Sequence, residues 1–352
     1  MKKLFISFLV AFSLIGCNKS DKKKLHIYTW ADYIDLDLVE KFENTHNCKV
    51  IIDTYDSNES MYAKLKSGAT GYDIITPTSY FVSSLVRDRI IRRIDTNKIE
   101  NVVKNFDNRF NDKIYAPVFS YTIPYAISYG CLFYNKQKVN GDDANTWNVL
   151  CNPKYKGRVT VLDDIRETIG VGLFMSNHSL NTKNQSEIND AIDFIKKAVP
   201  NIRKFDNESY KVEVADGSSL IGHGYSSDAL QVILGDGETE GRHDLAIAFP
   251  REGFTVSCDE FAIMSNAKEV DLAYEFINFL YEPSNCKKNM EYILALTPNI
   301  QAEYELDYEL KSVLALDEET LKRGQVAISL DDAPEVMEMY NAAWDRIKAV
   351  EK

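Results

Sequence analysis

The chain has 352 residues and a formal net charge of −12 at pH 7, because 53 acidic side chains outnumber 41 basic ones. An acidic surface repels nucleic acid and anionic lipid and attracts cations, so nucleic acid is not expected as a partner. A chain of this length exceeds one ordinary hydrophobic core, and we therefore expect two lobes.

The N-terminus has the pattern of an export signal. After two lysines comes an apolar run over residues 4–15, which as a helix would span about 18 Å, less than the roughly 30 Å of a bilayer core. The sequence Leu-Ile-Gly-Cys that ends at Cys17 is similar to a bacterial lipobox, in which the cysteine is acylated and becomes the mature N-terminus. We predict a leader over 1–16, a tether over 17–24 and a periplasmic protein that is lipid-anchored to the membrane through Cys17. A plain secretion signal with an incidental cysteine is the alternative.

Strand and helix patterns alternate after the tether. They predict a strand over 25–29, a helix over 36–45, a strand over 49–55, a helix capped by Asn58, and a strand over 72–76. The first helix would bury Leu36, Val39 and Phe42 on one face, and Gly68 and Gly71 would end the second helix.

A second set of alternating elements follows in the middle of the chain. It comprises a strand over 158–162, a helix through Phe174, a helix over 191–198, and a strand that ends at Leu220 and Ile221 before a glycine-rich turn at Gly222 and Gly224. This alternation predicts a parallel sheet with right-handed crossovers. In such open sheets ligands bind beyond the carboxyl ends of the strands.

The predicted strand ends carry aromatic and acidic side chains. Trp30-Ala31-Asp32-Tyr33 follows the first strand, and the segments 78–80, 163–167 and 224–228 follow others. Aromatic faces and carboxylates attract an organic cation with an apolar stem, through cation–π contact and charge-assisted hydrogen bonds. These strand ends therefore predict a polyamine site.

Each of these groups also has a structural interpretation. Asp164 and Glu167 have the spacing of a helix cap and its capping-box partner, and Trp30 and Tyr33 could be core aromatics. Asp259 lies in an otherwise apolar run, where an unpaired buried acid is costly, so it calls for a cation.

Cysteine and histidine residues predict neither a metal site nor a cofactor. After Cys17 the odd, scattered set forms no disulfide framework and contains no CxxC pair, namely Cys48, Cys131, Cys151, Cys258 and Cys286. Free or buried thiols are the favoured interpretation, with one or two disulfides as the alternative in an oxidising compartment. The five histidines are equally dispersed and include no HExxH motif.

Segments along nearly the whole mature chain resemble one family. They are Tyr28-Thr29-Trp30-Ala31-Asp32-Tyr33, the run 54–65, Tyr72-Asp73-Ile74-Ile75-Thr76-Pro77, Ile123-Pro124-Tyr125, Asp163-Asp164-Ile165-Arg166-Glu167, Pro250-Arg251-Glu252-Gly253 and Thr297-Pro298-Asn299. Together they are similar to the spermidine/putrescine-binding proteins of bacterial ABC importers. The resemblance implies an α/β fold of the type II periplasmic-binding-protein class, with two lobes joined by crossing strands and a ligand cleft between them.

The resemblance also implies where the lobes divide and with what they work. The strands would cross near Ser128 and Ser257, so lobe 1 would comprise 25–127 plus 258–303 and lobe 2 would comprise 128–257 plus 304–352. The protein would be a monomer that captures a polyamine by lobe closure and delivers it to the permease and ATPase subunits of an importer.

Ten positions match the ligand residues of that family. Trp30, Asp32, Tyr33 and Tyr80 fall where the family has an aromatic wall and an amine-facing acid, and Asp164, Glu167 and Asp259 fall on its amine-binding carboxylates. Thr78 stands where the family often has Ser, Tyr225 where it usually has Trp, and Asp228 at the spacing of an acid in putrescine-preferring members. By this analogy Asp164 would hold an inner amine, Glu167 with Asp259 a terminal amine, and Asp32 or Asp228 the other end.

Three departures leave the particular amine open. Ser257, Ala295 and Ala327 stand where the spermidine binder has Trp, Tyr and Gln. Losing two rings and an amide removes cover from the methylene stem and one polar contact to an amine.

Other functions fit the sequence less well. A glycosidase would need an acid and a base facing one bond, whereas Asp164 and Glu167 lie on one helical turn. An amino-acid binder would need a basic residue for the ligand carboxylate, and none stands at the matched positions. A binding protein for a different cationic solute, and an adhesin or sensor that reuses the fold, stay open alternatives.

Overall fold

The computed structural model describes residues 22–350 except 56, 208, 236–239 and 331–332. The predicted leader and Cys17 lie outside these residues. In the described part of the chain, no helix combines the length and the apolar character needed to cross a membrane.

The described residues contain ten β-strands, which form one mixed sheet. The strands are β1 (Lys24–Trp30), β2 (Lys49–Tyr55), β3 (Ile74–Ile75), β4 (Thr122–Asn135), β5 (Val159–Val161), β6 (Ile202–Phe205), β7 (Ile221–Tyr225), β8 (Leu245–Ala248), β9 (Phe254–Ile263) and β10 (Gly324–Gln325). Their order is β2-β1-β3-β9-β4-β7-β5-β6, with β10 beside β9 and β8 beside β4. The outer strands on each side are parallel, as the alternation predicts, and β9 and β4 are antiparallel to each other in the middle.

Helices cover both halves of the sheet. They are α1 (Leu36–His46), α2 (Asn58–Lys66), α3 (Val82–Arg87), α4 (Glu100–Asn105), α5 (Gly141–Ala144), α6 (Ile165–Met175), α7 (Gln185–Ala198), α8 (Tyr210–Asp216), α9 (Ser226–Leu234), α10 (Val270–Leu280), α11 (Pro283–Ile293), α12 (Ile300–Glu305), α13 (Tyr308–Leu314), α14 (Glu318–Lys322) and α15 (Pro334–Lys348). The predicted order of strand and helix is confirmed in the first set. In the second set the structure adds β6 and α8 before β7, and β7 begins at Ile221, where the predicted strand ends.

The buried face of α1 differs from the prediction by one residue in its first turn. Leu38, Val39 and Phe42 are buried, whereas Leu36 is 67% exposed. Asp35 caps the helix by accepting a hydrogen bond from the backbone N–H of Asp37, which places Leu36 at the first helical position, on the solvent side.

The long strands β4 and β9 run between two hydrophobic cores. Ile123 and Ala126 of β4 belong to a core built with α1 and α10, whereas Ile127 and Leu132 belong to the core around α6 and α7. Along β9 the change falls between Cys258 and Phe261. Both strands therefore pass from one core to the other, and their ladder continues across the change.

Two glycines predicted in a turn lie inside β7 instead. Gly222 and Gly224 pair with β4, and the ring of Tyr210 from α8 packs directly on them. The sequence alone could not show this packing, because Tyr210 lies over ten residues away and the glycines give a strong local turn signal.

The five cysteines of the described chain are free thiols, and four of them are buried. The favoured interpretation of these residues is therefore confirmed, and the disulfide alternative is wrong.

Replacing Gly224 by alanine tests the packing on β7. A Cβ there would lie 2.0 Å from Cε2 of Tyr210, so we expect the free energy of unfolding to fall by about 1 to 3 kcal/mol. Gly141→Ala is the matched control, since its Cβ would meet only the Tyr134 hydroxyl at 3.8 Å, and we expect a change within about 0.5 kcal/mol. Urea denaturation measures both; equal stability of the two variants would contradict the packing.

Candidate functional site

Asp259 on β9 anchors one side of the site. Thr78 forms an isolated β-bridge with it and donates its hydroxyl to Oδ1 at 2.6 Å, while the Tyr33 hydroxyl donates to Oδ2. Burial raises the pKa of Asp259 to about 6, and the two hydroxyl donors act in the opposite direction. Asp259 is thus hydrogen-bonded by two hydroxyls, and no lysine or arginine of the described chain forms an ion pair with it.

Asn58 connects Thr78 to Tyr80, which corrects its predicted role as a helix cap. Ser57 caps α2 instead, by accepting from the backbone N–H of Ser60, and the Asn58 side chain is buried. Its Nδ2 donates to the Thr78 hydroxyl at 3.0 Å and to the Tyr80 hydroxyl at 3.2 Å, and its Oδ1 accepts from the Thr78 backbone N–H. The amide fixes these two ligand candidates relative to each other.

Asp164 stands at the start of α6, as the sequence predicts. Its Oδ1 accepts from the backbone N–H groups of Arg166 and Glu167, at 2.8 Å and 2.9 Å, so it is the helix cap. Burial, followed by the charge of Glu167, nevertheless raises the pKa of Asp164 to about 6, and Glu59 of α2 adds to the effect. Glu59 is a further acid near the site that the sequence analysis did not single out.

Glu167 is buried and does not complete a capping box. Its Oε2 accepts from the Thr255 hydroxyl at 2.7 Å and lies 3.7 Å from Nε2 of His223, which is itself buried. Among the described residues, no lysine or arginine forms an ion pair with Glu167 or with Asp164. The capping interpretation is thus right for Asp164, which is half-buried, whereas Glu167 is buried; the charge of Arg166 acts on both acids, although it forms no ion pair with either.

Aromatic rings adjoin these acids. Tyr80 and Tyr225 have pKa values raised first by burial and then by nearby charges, and Asp164 contributes to both. Trp30 is half-buried, donates its Nε1–H to the Thr76 carbonyl at 3.1 Å, and packs with its ring 4.5 Å from that of Tyr55. Tyr33 is also half-buried, so neither Trp30 nor Tyr33 is a fully buried core aromatic.

The structure leaves Asp32 and Asp228 at the margin of this cluster. Asp32 is exposed in a left-handed backbone conformation with φ 52°. Asp228 accepts from the Tyr210 hydroxyl at 2.8 Å and lies 4.0 Å from Nζ of Lys211, and the same hydroxyl accepts from the Tyr225 backbone N–H. Asp228 is therefore linked to the Tyr225 backbone through the Tyr210 hydroxyl and already has a basic neighbour in Lys211.

Two of the three family departures line a small cavity beside Tyr80. Ser257 and Ala327 contribute to its wall together with Thr78 and Val326. Ala295 is instead buried in the hydrophobic core next to Ile293.

The sequence did not identify four polar residues as part of this site: Asn58, Glu59, Thr255 and His223. Asn58 and Glu59 lie in a segment of the family resemblance, which was a usable signal. Thr255 and His223 contact Glu167 only through the fold and carry no local signal.

Comparison with known proteins identifies the family. Residues 37–311 match the model of the bacterial extracellular solute-binding proteins, and the chain therefore belongs to that family. It is 33% identical to a putrescine/cadaverine-binding protein of Pseudomonas aeruginosa and 30% identical to a spermidine/putrescine-binding periplasmic protein of Escherichia coli. Each alignment covers 99% of this chain, and 99% and 98% of the respective relatives.

Solved structures agree in fold. A spermidine/putrescine ABC transporter substrate-binding protein of Streptococcus pneumoniae matches with a TM-score of 0.84 at 30% identity, over 94% of this chain and all of that one. A lipoprotein of Treponema pallidum matches with a TM-score of 0.81 at 28% identity, over 92% and 99% of the two chains. The predicted class, a two-lobed α/β periplasmic-binding-protein fold, is confirmed.

The raised pKa of Asp164 predicts a pH-dependent stability. Because the pKa rises from 3.8 to about 6 on folding, the folded state binds more protons between those values, and the free energy of unfolding falls as pH rises through this window. Asp164→Asn keeps the capping oxygen and removes the charge. We expect the ligand-free variant to be more stable than wild type by about 1 to 3 kcal/mol at pH 8, and no more stable at pH 4.

Urea denaturation at the two pH values measures this difference. Asp307→Asn is the control, because Asp307 is an exposed aspartate that caps α13 in the same way. A stability gain for Asp164→Asn that is equal at pH 4 and pH 8 would contradict the raised pKa.

Proposed function

We propose that the protein binds a polyamine of the spermidine and putrescine class and delivers it to the permease and ATPase subunits of an ABC importer. The observation that carries this proposal is the set of three acids, Asp164, Glu167 and Asp259, that form no ion pair with a lysine or arginine of the described chain and adjoin the rings of Tyr80 and Tyr225. The names of the related proteins, which bind putrescine, cadaverine or spermidine, support the same ligand class.

The chemistry of a polyamine suits this arrangement. Each ammonium group is strongly hydrated and loses that hydration at acceptable cost only where a carboxylate meets it. The methylene stem between the ammonium groups needs apolar cover, which the rings of Trp30, Tyr33, Tyr80 and Tyr225 can provide while their faces attract the flanking charge. Acids at fixed spacing then select ligands by the distance between their amines.

Capture would proceed by closure of two lobes. We place the division at 127/128 and 257/258, near the points where β4 and β9 change from one hydrophobic core to the other. Asp259, Thr78 and Tyr80 would approach the ligand from lobe 1, and Asp164, Glu167 and Tyr225 from lobe 2. A ligand that contacts both sets favours the closed form by its differential affinity for that form.

Within the cleft, Asp164 would hold an inner amine and Asp259 a terminal amine. Glu167 would complete the terminal site, and Asp32 or Asp228 would face the other end. The bond from Tyr210 and the nearby Lys211 both weaken the case for Asp228, so Asp32 is the more available of the two.

Calorimetric titration of residues 18–352 with putrescine, cadaverine, spermidine and spermine tests the function. We expect a Kd in the micromolar range or tighter for at least one of these amines. Asp164→Asn removes the charge, and Trp30→Ala removes a ring; each should weaken binding at least about tenfold, whereas Asp307→Asn should bind as wild type does. The absence of binding to all four amines, confirmed by a second method, would contradict the proposal.

The lipid anchor is a separate proposal and has a separate test. The lipobox-like sequence that ends at Cys17 supports acylation and attachment to the membrane on its periplasmic side. Expressed from the full-length chain in a bacterium, wild type should partition into detergent and incorporate labelled palmitate, whereas Cys17→Ala should do neither. Labelling of both proteins, or of neither, would contradict acylation at Cys17.

A further inference from the structure

The segment that follows β10 forms part of the wall beside Tyr80. Residues 326–330 have no regular secondary structure, and Val326 and Ala327 line the small cavity together with Tyr80 and Ser257. An irregular, partly buried segment needs partners for its backbone N–H and C=O groups, because an unpaired polar group away from water is costly.

Asn181, in the loop between α6 and α7, supplies these partners. Its Nδ2 donates to the Val326 carbonyl at 2.8 Å, and its Oδ1 accepts from the Ile328 backbone N–H at 2.9 Å. The two bonds enclose Ala327 from both sides, much as a neighbouring β-strand would. The Asn181 amide thus fixes the backbone on both sides of Ala327, in addition to the bond from the Leu180 N–H to Oε1 of Gln325 that holds the preceding residues.

The Asn181 amide is also hydrogen-bonded to α6, the helix whose start carries Asp164 and Glu167. Arg166, which lies between Asp164 and Glu167 in the sequence, donates its Nη2–H to Oδ1 of Asn181 at 2.8 Å and to the Leu180 carbonyl at 3.1 Å. Its guanidinium also stacks over the ring of Tyr340, 5.0 Å from the centroid. The start of α6 and the Ala327 wall are therefore linked through one contiguous set of hydrogen bonds.

We propose that Asn181 is a positioning residue that sets the distance between the Ala327 wall and the acids of α6, and thereby the room available to the ligand. This inference rests on the proposed function of the cleft. Ala327 presents only a methyl group, so the width of the site on this side depends on the backbone position of Ala327, which Asn181 controls.

Asn201 offers a matched control in the same half of the molecule. Its Nδ2 also donates to two backbone carbonyls of another segment, those of Leu150 and Asn152, each at 2.9 Å. Asn201 is buried, and the residues that it contacts do not line the cavity. Loss of either amide should lower stability, but only loss of Asn181 should alter the site.

Two measurements on Asn181→Ala and Asn201→Ala test the inference. In calorimetric titration with spermidine, we expect the Kd of Asn181→Ala to rise about tenfold, and that of Asn201→Ala to stay within about twofold of wild type. In hydrogen exchange without ligand, the Ile328 amide should lose protection in Asn181→Ala alone. If Asn181→Ala does not fold, Asn181→Asp, which replaces the amide donor to Val326 by a carboxylate oxygen and keeps the oxygen that accepts from Ile328, is measured in the same way.

The outcomes separate this inference from the function on which it rests. If wild type binds polyamine and the Asn181 variant binds it as tightly as the Asn201 variant does, the positioning role is overturned and the function stands. If wild type binds no polyamine, the proposed function fails, and the exchange rate of the Ile328 amide still decides whether Asn181 fixes this wall. Unchanged exchange in Asn181→Ala would overturn the inference.

Discussion

Removing a carboxylate from water without an ion-pair partner costs free energy, and three acids of the candidate site are in this position: Glu167 is buried, and Asp164 and Asp259 are half-buried. Their oxygens accept hydrogen bonds from neutral donors: two hydroxyls for Asp259, backbone N–H groups for Asp164, and the Thr255 hydroxyl for Glu167. The charge of Arg166 acts on Asp164 and Glu167 but forms no ion pair with them. The raised pKa values of Asp164 and Asp259 express this cost. This arrangement supports the proposal that a cationic ligand neutralises these acids.

The strand connections explain how these acids reach one cleft from distant parts of the chain. Asp259 lies on β9, which joins the ladder of β4 where both strands pass between the two hydrophobic cores. Asp164 and Glu167 follow β5 at the start of α6, beyond the carboxyl end of that strand. A cation between these acids would therefore contact elements from both halves of the sheet, as the proposed lobe closure requires.

Much of this arrangement was predictable from the sequence, because periodic patterns and strand-end positions are local signals. The alternation from β1 to β3 follows from apolar spacing, and the positions of Asp164 and Trp30 follow from the strand-end rule. One error, the burial of Leu36, comes from the local cap at Asp35, whereas two others depend on distant contacts. Gly224 is part of a strand because Tyr210 packs on it, and Asn58 turns away from its helix because Thr78 and Tyr80 accept its amide.

Proton release on binding tests the central claim most directly. If a cationic ligand neutralises Asp164 and Asp259, their pKa values must fall from about 6 when it binds, so that both groups ionise. Titration with spermidine in buffers of different ionisation enthalpy measures the protons released. We expect about one proton per ligand at pH 6, where both acids are half protonated, and close to none at pH 8. Tight binding at pH 6 without proton release would contradict the account.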